Sequence, residues 1–400
     1  MPMIGMALAV LAAVSLAAWI ALLFGRGGFW RADQRLTSET PKVDETPGVV
    51  AVIPARNEAA TIARTIASLR AQDAIGRVGI VVVDDGSSDG TGSLARAAGE
   101  GDPDVVVIEG LPLAPGWTGK LWAVKQGVAE AARRWPGARY LLLTDADIEH
   151  GPGIVAALIA KAEAEGRDLV SLMVLLRCRS FWERLLIPPF VFFFQKLYPF
   201  PRVNDPRRSE AAAAGGCVLV RRAALERAGG VSAVRDRLID DCALAALLKR
   251  RGAIWLGLTT ASMSLRTYEH LSEVWRMVAR TAYTQLDHRP ANLVGTVVGM
   301  TILYLVPPLA AGFGAVAGDA TNLVTGGLAW IVMMGLFVPT PCLYGQPMAW
   351  AAALPVAALL YTAMTVDSAR RHHLGRGGAW KGRTYAPAPT AAGDAGEDVV

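Results

Sequence analysis

The stretch ARYLLLTDADIEHGPG, residues 138–153, decides the fold. It carries an apolar strand, residues 140–144, directly into two acids spaced one residue apart, Asp145 and Asp147. One interpretation is turn chemistry, because Asp tolerates the backbone angles of turns and caps helices. The other is a divalent-metal site, because hard cations prefer carboxylate oxygens as ligands. The rest of the sequence decides between the two.

Strands and helices alternate around this stretch. Further apolar strands are predicted at residues 49–54, 79–85 and 105–108, and a helix is predicted near residues 120–135. The alternation is typical of a mostly parallel α/β sheet, in which ligands bind beyond the carboxyl ends of the strands. Acidic motifs lie at three such ends: Asn57-Glu58, Asp84-Asp85, and Asp145 with Asp147. Their position favours the metal site.

Three long segments carry no charge: residues 4–24, 291–317 and 320–366. The first two each have the length of one membrane-spanning helix, and the third is long enough for two. The net charge of +5 comes largely from Arg and Lys beside these segments, so anionic lipid headgroups are the expected partner and nucleic acid is not. The four cysteines show neither zinc-site nor disulfide spacing, which is typical of a reducing compartment.

Basic residues beside the apolar segments predict the orientation. Arg26, Arg31 and Arg35 follow the first segment, so the positive-inside rule places the next domain in the cytoplasm. The tail that begins at Arg370 is also basic and prefers the cytoplasm, whereas three C-terminal spans place it outside. The conflict disappears if one segment is re-entrant or interfacial. The sequence therefore leaves two or three C-terminal spans open.

Four motifs follow one another along the chain: VIPARNE at 52–58, DDGSSDGT at 84–91, TDAD at 144–147 and IDD at 239–241. In this order they resemble the family 2 glycosyltransferases of the GT-A fold. PGWTGKLWA at 115–123, WKGR at 380–383 and the flanking apolar segments are similar to the hopene-associated glycosyltransferases of bacterial hopanoid clusters. The resemblance implies an α/β nucleotide-sugar-binding domain with transmembrane helices, located in the bacterial inner membrane.

The resemblance also implies roles for residues of the donor site. Pro54, Arg56, Glu58, Asp85, Lys120 and Asp145 are the implied nucleotide-sugar-binding residues. Lys120 supplies a point charge to the diphosphate. Asp145 and Asp147 hold Mg²⁺ or Mn²⁺, which bridges the two phosphates and acts as a Lewis acid as the nucleotide leaves. Asp89, in contrast, is interpreted as the cap of the helix that follows it.

Asp240 and Asp241 precede an apolar helix. The resemblance makes Asp241 the general base, which takes the acceptor's proton during a single inverting displacement, although Asp240 is the alternative. Without the other motifs, both are first-turn acids that serve the helix dipole. Arg280 is all that remains of a Gln-x-x-Arg-Trp motif of polymerising relatives, so transfer of a single sugar is favoured.

Residues 185–200 are apolar but too short to span a bilayer. The donor site before them and the base after them share one compartment, so we expect an interfacial segment that guides a lipid acceptor. The predicted organisation is an N-terminal anchor (1–25), a linker (26–48), a cytoplasmic GT-A domain (49–289), C-terminal transmembrane helices (290–368) and a basic, then flexible tail (369–400).

The predicted function is a membrane-bound inverting glycosyltransferase. It moves one sugar from a nucleotide-sugar, a UDP-sugar in particular, to a lipid acceptor of hopanoid type. Two alternatives stay open: a processive polysaccharide synthase, and a non-catalytic membrane scaffold of hopanoid synthesis.

Overall fold

The structure is a computed structural model that describes residues 2–37, 48–72 and 78–376. The strands are β1 Val49–Ala55, β2 Gly79–Asp84, β3 Val105–Glu109, β4 Tyr140–Thr144, β5 Ile148–His150, β6 Arg167–Leu175, β7 Cys217–Arg221 and β8 Ala253–Ser264. The α-helices are α1 Pro2–Gly25, α2 Ile62–Arg70, α3 Thr91–Ala98, α4 Gly119–Arg134, α5 Ile154–Ala164, α6 Phe181–Leu197, α7 Phe200–Asn204, α8 Arg222–Arg227, α9 Asp240–Lys249, α10 Leu271–Ala279, α11 Pro290–Met300, α12 Val306–Ala317, α13 Ala320–Phe337, α14 Pro339–Leu343 and α15 Leu354–His373. A π-helical turn, Thr301–Leu305, joins α11 to α12.

The strands form one mixed sheet in the order β3-β2-β1-β4-β7-β6-β8-β5. Its first half, β3-β2-β1-β4, is parallel throughout, as the alternation of strands and helices predicted. β7 runs antiparallel to both β4 and β6, and β5 runs antiparallel to β8. The carboxyl ends of β1, β2 and β4 therefore meet at one edge, and this edge carries the acidic motifs.

Helices cover both faces of the sheet, which explains why its central strands are apolar at every position. All seven residues of β1 are buried. Val50 and Val52 belong to the core cluster beneath α4, and Ile53 belongs to the cluster beneath α2. A Cβ at Gly127 of α4 would stand 2.4 Å from Val52 Cγ1, so glycine permits the close approach of α4 to the sheet.

Four helical segments are long and apolar enough to cross a membrane: Met3–Gly25, Pro290–Ala317, Ala320–Leu343 and Met348–His373. The N-terminal half of α1 reaches the start of α13, where Asn322 Nδ2 donates to the Gly5 carbonyl at 2.9 Å. α12 and α13 pack closely at glycines, since a Cβ at Gly314 would lie 2.2 Å from the Leu323 nitrogen. α1, α12 and α13 thus form a bundle whose exposed residues are largely apolar.

The predicted linker and tail are described only in part. Within the linker, the backbone nitrogen of Leu36 donates to the Leu258 carbonyl at 3.0 Å, so this segment pairs with β8. Residues 38–47 of the linker, and residues 377–400 of the tail with the WKGR motif, lie outside the described residues.

The apolar segment predicted at 185–200 is most of helix α6. A capping box begins the helix: the Glu183 nitrogen donates to Ser180 Oγ, and the Glu183 carboxylate accepts from the Ser180 nitrogen. Pro188 and Pro189 lie inside the helix, and both are buried. The middle of the segment is thus covered by protein, while its placement at a membrane surface stays a prediction.

Candidate active site

Most of the predicted acids meet in one cavity of about 660 Å³ at the carboxyl edge of the parallel strands, but Asp85 and the predicted Arg56 do not line it. Polar residues on its wall include Glu58, Lys120, Asp145, Asp147, Asp240 and Asp241. We call this polar part the donor edge and extend the name to Arg266, which also lines the cavity. The opposite wall carries apolar side chains, among them Phe190 and Phe194 of α6 and Met277 of α10.

Lys120 lies in the first turn of α4 and pairs with two acids. Its ammonium nitrogen stands 2.8 Å from Asp145 Oδ1 and 3.4 Å from Asp240 Oδ2. Burial works to lower the pKa of Lys120, but the nearby carboxylates, Asp145 first, raise it overall. Lys120 is therefore a permanent cation that joins the end of β4 to the start of α9.

Arg266 holds the second acid of the TDAD motif. It follows β8, and its Nε donates to Asp147 Oδ2 at 2.8 Å while its Nη2 donates to Glu58 Oε1 at 2.8 Å. Burial by itself would lower the pKa of Arg266, but the carboxylates of Asp147 and Glu58 raise it overall. The acids at the ends of β1 and β4 are thus bridged by one guanidinium.

Asp241 is held by two backbone nitrogens. Its Oδ2 accepts from the Gly215 nitrogen at 2.8 Å, and its Oδ1 accepts from the Cys242 nitrogen at 2.8 Å. Burial, together with the charge of neighbouring Asp240, raises the pKa of Asp241 to about 6, against the opposing effect of Lys120. A carboxylate with a raised pKa is a better proton acceptor, which is the property a general base needs.

The loops after β1 and β2 are joined by hydrogen bonds. Arg56 Nη1 donates to the carbonyls of Asp85 and Gly86 and lies 3.9 Å from Asp85 Oδ2. Asp85 is only 2% exposed. Asp89 accepts from the Thr91 nitrogen at 3.1 Å at the start of α3, although the N-cap residue of that helix is Gly90. The roles of Arg56 and Asp85 toward a nucleotide stay predictions.

Glu58 does not lie in a helix. Its carbonyl accepts from the nitrogens of Thr61 and Ile62, and α2 begins only at Ile62. Glu58 therefore precedes the first turn of α2. Its side chain turns instead to Arg266 in the cavity. Pro54, in β1, also lines the cavity.

Arg276 and Arg280 lie one turn apart on α10, and both line the cavity. Within residues 2–37, 48–72 and 78–376, no carboxylate forms an ion pair with either guanidinium. Both side chains are exposed. Arg276 and Arg280 thus bring positive charge to the side of α10, where Glu273 also lines the cavity.

The donor set fits a divalent cation only if a ligand completes the coordination. Asp145 and Asp147 supply hard carboxylate oxygens at the strand end, but the described residues contain no group of three or more His, Cys, Asp or Glu side chains placed to hold a metal ion. Mg²⁺ is typically bound through one or two carboxylates plus the phosphates of a substrate. His150 is no ligand candidate, because it is buried between the Thr144 and Ser262 hydroxyls.

Sequence reasoning missed Arg266 and Gly215. Arg266 could have been found by the rule that pointed to the acids, because it lies two residues beyond the carboxyl end of β8, a strand that begins with an apolar run. Gly215 carries no such signal, since its contact with Asp241 joins residues from distant parts of the chain.

Residues 50–229 match the family model described as Glycosyl transferase family 2. The match covers 180 of the 400 residues, which is slightly less than half of the chain. A curated relative, the succinoglycan biosynthesis protein ExoO of Rhizobium meliloti (strain 1021), is 35% identical over 129 residues, which are 32% of this chain and 34% of the relative. The chain thus spans about a third of the length of that relative.

Among solved structures, the mannosyltransferase PcManGT of Pyrobaculum calidifontis, determined with GDP-Man and Mn²⁺, is similar with a TM-score of 0.50 and 20% identity. The similarity covers 87% of this chain and 99% of that one. At this level of identity it concerns the fold alone. It confirms the predicted fold class, a GT-A domain with additional apolar helices.

Proposed function

We propose that this protein is a membrane-bound, metal-dependent, inverting glycosyltransferase that moves a single sugar from a nucleotide-sugar to a lipid acceptor. One observation carries the proposal: the cavity that residues of the family 2 match line joins a charged donor edge to apolar side chains, Phe190 and Phe194 of α6 and Met277 of α10. A nucleotide-sugar needs the first of these surfaces, and a lipid needs the second.

The donor binds at the edge of the parallel strands. Pro54, Glu58 and Asp85 contact the nucleoside, and Lys120 contacts the diphosphate. The solved relative binds GDP-Man, so a guanosine donor is as well supported as the UDP-sugar that the motifs favour. Lys120 and Arg266 neutralise the acids before the donor arrives, and they turn to the diphosphate when it binds.

Asp145 and Asp147 would hold Mg²⁺ or Mn²⁺ together with the diphosphate, and the cation would supply positive charge to the leaving nucleotide. Mn²⁺ in the solved relative supports this assignment. Arg266 donates to Asp147 through its Nε, so its guanidinium would compete with a cation for that carboxylate.

Asp241 acts as the general base. The Gly215 and Cys242 nitrogens fix its carboxylate, and burial keeps it basic. It accepts the proton of the acceptor hydroxyl while that oxygen attacks the anomeric carbon, and the bond to the nucleotide diphosphate breaks. One displacement of this kind inverts the configuration. Arg280, on the side of α10, orients the acceptor or the leaving phosphate.

The acceptor is a lipid because Phe190, Phe194 and Met277 line the cavity beside helices long enough to span a membrane. A hopanoid is the first lipid to test, on the strength of the PGWTGKLWA motif. Without the Gln and Trp of the polymerase motif, one sugar is transferred. The enzyme lies in the bacterial inner membrane with its catalytic domain in the cytoplasm.

The experiment uses the full chain, purified in detergent, with Mn²⁺, a panel of UDP- and GDP-sugars and a bacterial membrane lipid extract. Mass spectrometry should find a lipid that gains one hexose, and the Asp241→Asn variant should not form it. A ladder of sugar units would establish the polysaccharide synthase instead. A protein that neither binds a nucleotide-sugar nor hydrolyses one would establish the scaffold.

A further inference from the structure

The last apolar helix, α15, differs from the other long helices in where its two ends lie. α1 has one end at the catalytic domain, where the Gly25 carbonyl accepts from Arg202, and the other end at the α12–α13 turn through Gly5 and Asn322. This is the path of a spanning helix. α15 has the composition of a span, yet both of its ends contact the catalytic domain.

The segment that leads into α15 at its N-terminal end lies beside the start of α6. Gln346 Nε2 donates to the Cys178 carbonyl at 3.2 Å, and the rings of Trp350 and Phe181 lie 5.9 Å apart. Halfway along, the Tyr361 hydroxyl donates to the Leu186 carbonyl at 2.9 Å.

The C-terminal end of α15 lies beside α10 and the turn that follows it. Trp275 Nε1 donates to Asp367 Oδ2 at 2.8 Å, and the Tyr283 nitrogen donates to Ser368 Oγ at 3.0 Å. The His372 ring stacks on His288 at 4.1 Å. The contacts at this end are therefore as polar and as specific as those at the other.

The two contact regions belong to one side of the membrane. Ser180 Oγ donates to the Tyr268 carbonyl at 2.9 Å, which joins the start of α6 directly to the segment before α10. Tyr268 itself lines the catalytic cavity. A helix of this length is about 30 Å long, enough to cross a bilayer, but crossing would place these neighbouring elements in opposite compartments.

We infer that α15 lies along the membrane surface on the side of the catalytic domain and does not cross the bilayer. The inference rests on the membrane placement proposed above. The partner of its outer face is the bilayer: Val356, Leu359 and Val366 are exposed at helical spacing and continue the apolar surface of the spanning bundle. Arg370, at the C-terminal end of the helix, is placed to meet lipid phosphates.

Three spans follow, formed by α1, by α11 with α12, and by α13 with α14. The C-terminal end of α15 then lies on the side of Arg26 and Arg31. The basic residues at both ends of the catalytic domain then lie on the cytoplasmic side, as the positive-inside rule requires. The basic tail is no longer placed outside, as three C-terminal spans would have required. Together α6, α10 and α15 form a layer beneath the domain, which we call the membrane floor.

The test is cysteine labelling of the full-length protein in intact cells with a membrane-impermeant PEG-maleimide, which adds one gel shift per modified cysteine. Leu374→Cys, just beyond α15, and Ala317→Cys, in the α12–α13 turn, are both exposed sites. The native Cys342, at the end of α14, is exposed and marks the side of the catalytic domain. A green fluorescent protein fused after Val400 reports the side of the tail independently of any cysteine.

We expect Ala317→Cys to be labelled from one side of the membrane, and both Leu374→Cys and Cys342 only from the other. The fusion should fluoresce, as it does in the cytoplasm. Labelling of Leu374→Cys from the side of Ala317→Cys, with a dark fusion, would overturn the inference while leaving the proposed enzyme intact. A chain recovered in the soluble fraction would instead refute the proposed membrane placement.

Discussion

Two walls of the same cavity are held together in different ways. At the donor edge, charge meets charge: Lys120 lies 2.8 Å from Asp145, and Arg266 lies 2.8 Å from Asp147. In the membrane floor, α6, α10 and α15 meet through apolar side chains and a few isolated hydrogen bonds, such as that from Tyr361 to Leu186. A substitution at the donor edge should therefore change activity strongly. A substitution in the membrane floor should change activity little, because many other contacts remain.

The largest effect is expected at Asp147. Asp147→Asn keeps the size of the side chain but removes the charge that a divalent cation needs, so transfer and Mn²⁺-dependent nucleotide binding should both be lost. Removing a partner of a metal ligand typically costs about 10–100-fold, and removing a ligand should cost more. Isothermal titration with nucleotide and Mn²⁺ measures the binding directly.

Asp89→Asn is the matched control for this variant, because an asparagine can still accept from the Thr91 nitrogen at the start of α3. It should keep its activity, and circular dichroism should show both variants folded. Normal metal dependence in Asp147→Asn would remove that residue from the metal site.

A smaller but still large effect is expected at Asp241. Asp241→Asn accepts no proton, so transfer to lipid should fall by about 10²–10⁴-fold, the usual contribution of a general base. Donor affinity should stay near that of the wild type, since Lys120, Asp145 and Asp147 are unchanged. Asp240→Asn is the matched control and should be milder. If only Asp240→Asn is inactive, the base is Asp240.

The pH profile sharpens the same assignment. Burial and Asp240 raise the pKa of Asp241 to about 6, so transfer should fall about tenfold per pH unit below that value as the carboxylate becomes protonated. Asp240→Asn removes one cause of the rise, so its acid limb should move to lower pH. An acid limb that stays in place would show that a different group titrates.

These donor-edge residues differ in how far sequence alone could identify them. Asp145 and Asp147 were predictable because a strand end and its acids are local, and a parallel sheet gathers such ends at one edge. Gly215 was not, because its contact with Asp241 depends on how β7 enters the sheet. The in-plane path of α15 was also hidden, because hydropathy measures the length and composition of a helix, while the position of its ends depends on long-range contacts.

Arg266 tests whether a cation of the chain competes with the metal. Arg266→Gln removes the guanidinium from Asp147 and Glu58, so Mn²⁺ should bind more tightly without nucleotide. About 5-fold is expected, because a partly exposed ion pair is worth roughly 1 kcal/mol. Turnover should nevertheless fall, since the diphosphate loses a cation. Mn²⁺ titration by electron paramagnetic resonance measures the change in Mn²⁺ affinity. The affinity of Arg266→Lys should lie between those of the wild type and Arg266→Gln. Weaker Mn²⁺ binding in Arg266→Gln would contradict the competition.

The smallest effect is expected in the membrane floor. Trp275→Phe removes the N–H that donates to Asp367, but Arg370 and Arg371 still pair with that carboxylate, so α15 should stay in place. The neighbouring Arg276 and Met277 line the cavity, so the KM for the lipid acceptor should rise by about 2–5-fold, the equivalent of one modest hydrogen bond. Donor affinity should not change.

Trp330→Phe, in α13, is the matched control, because its buried N–H has no hydrogen-bond partner among the described residues. If Trp275→Phe lost as much transfer activity as Asp147→Asn, the membrane floor would be as sensitive to substitution as the donor edge, which would contradict the proposed contrast.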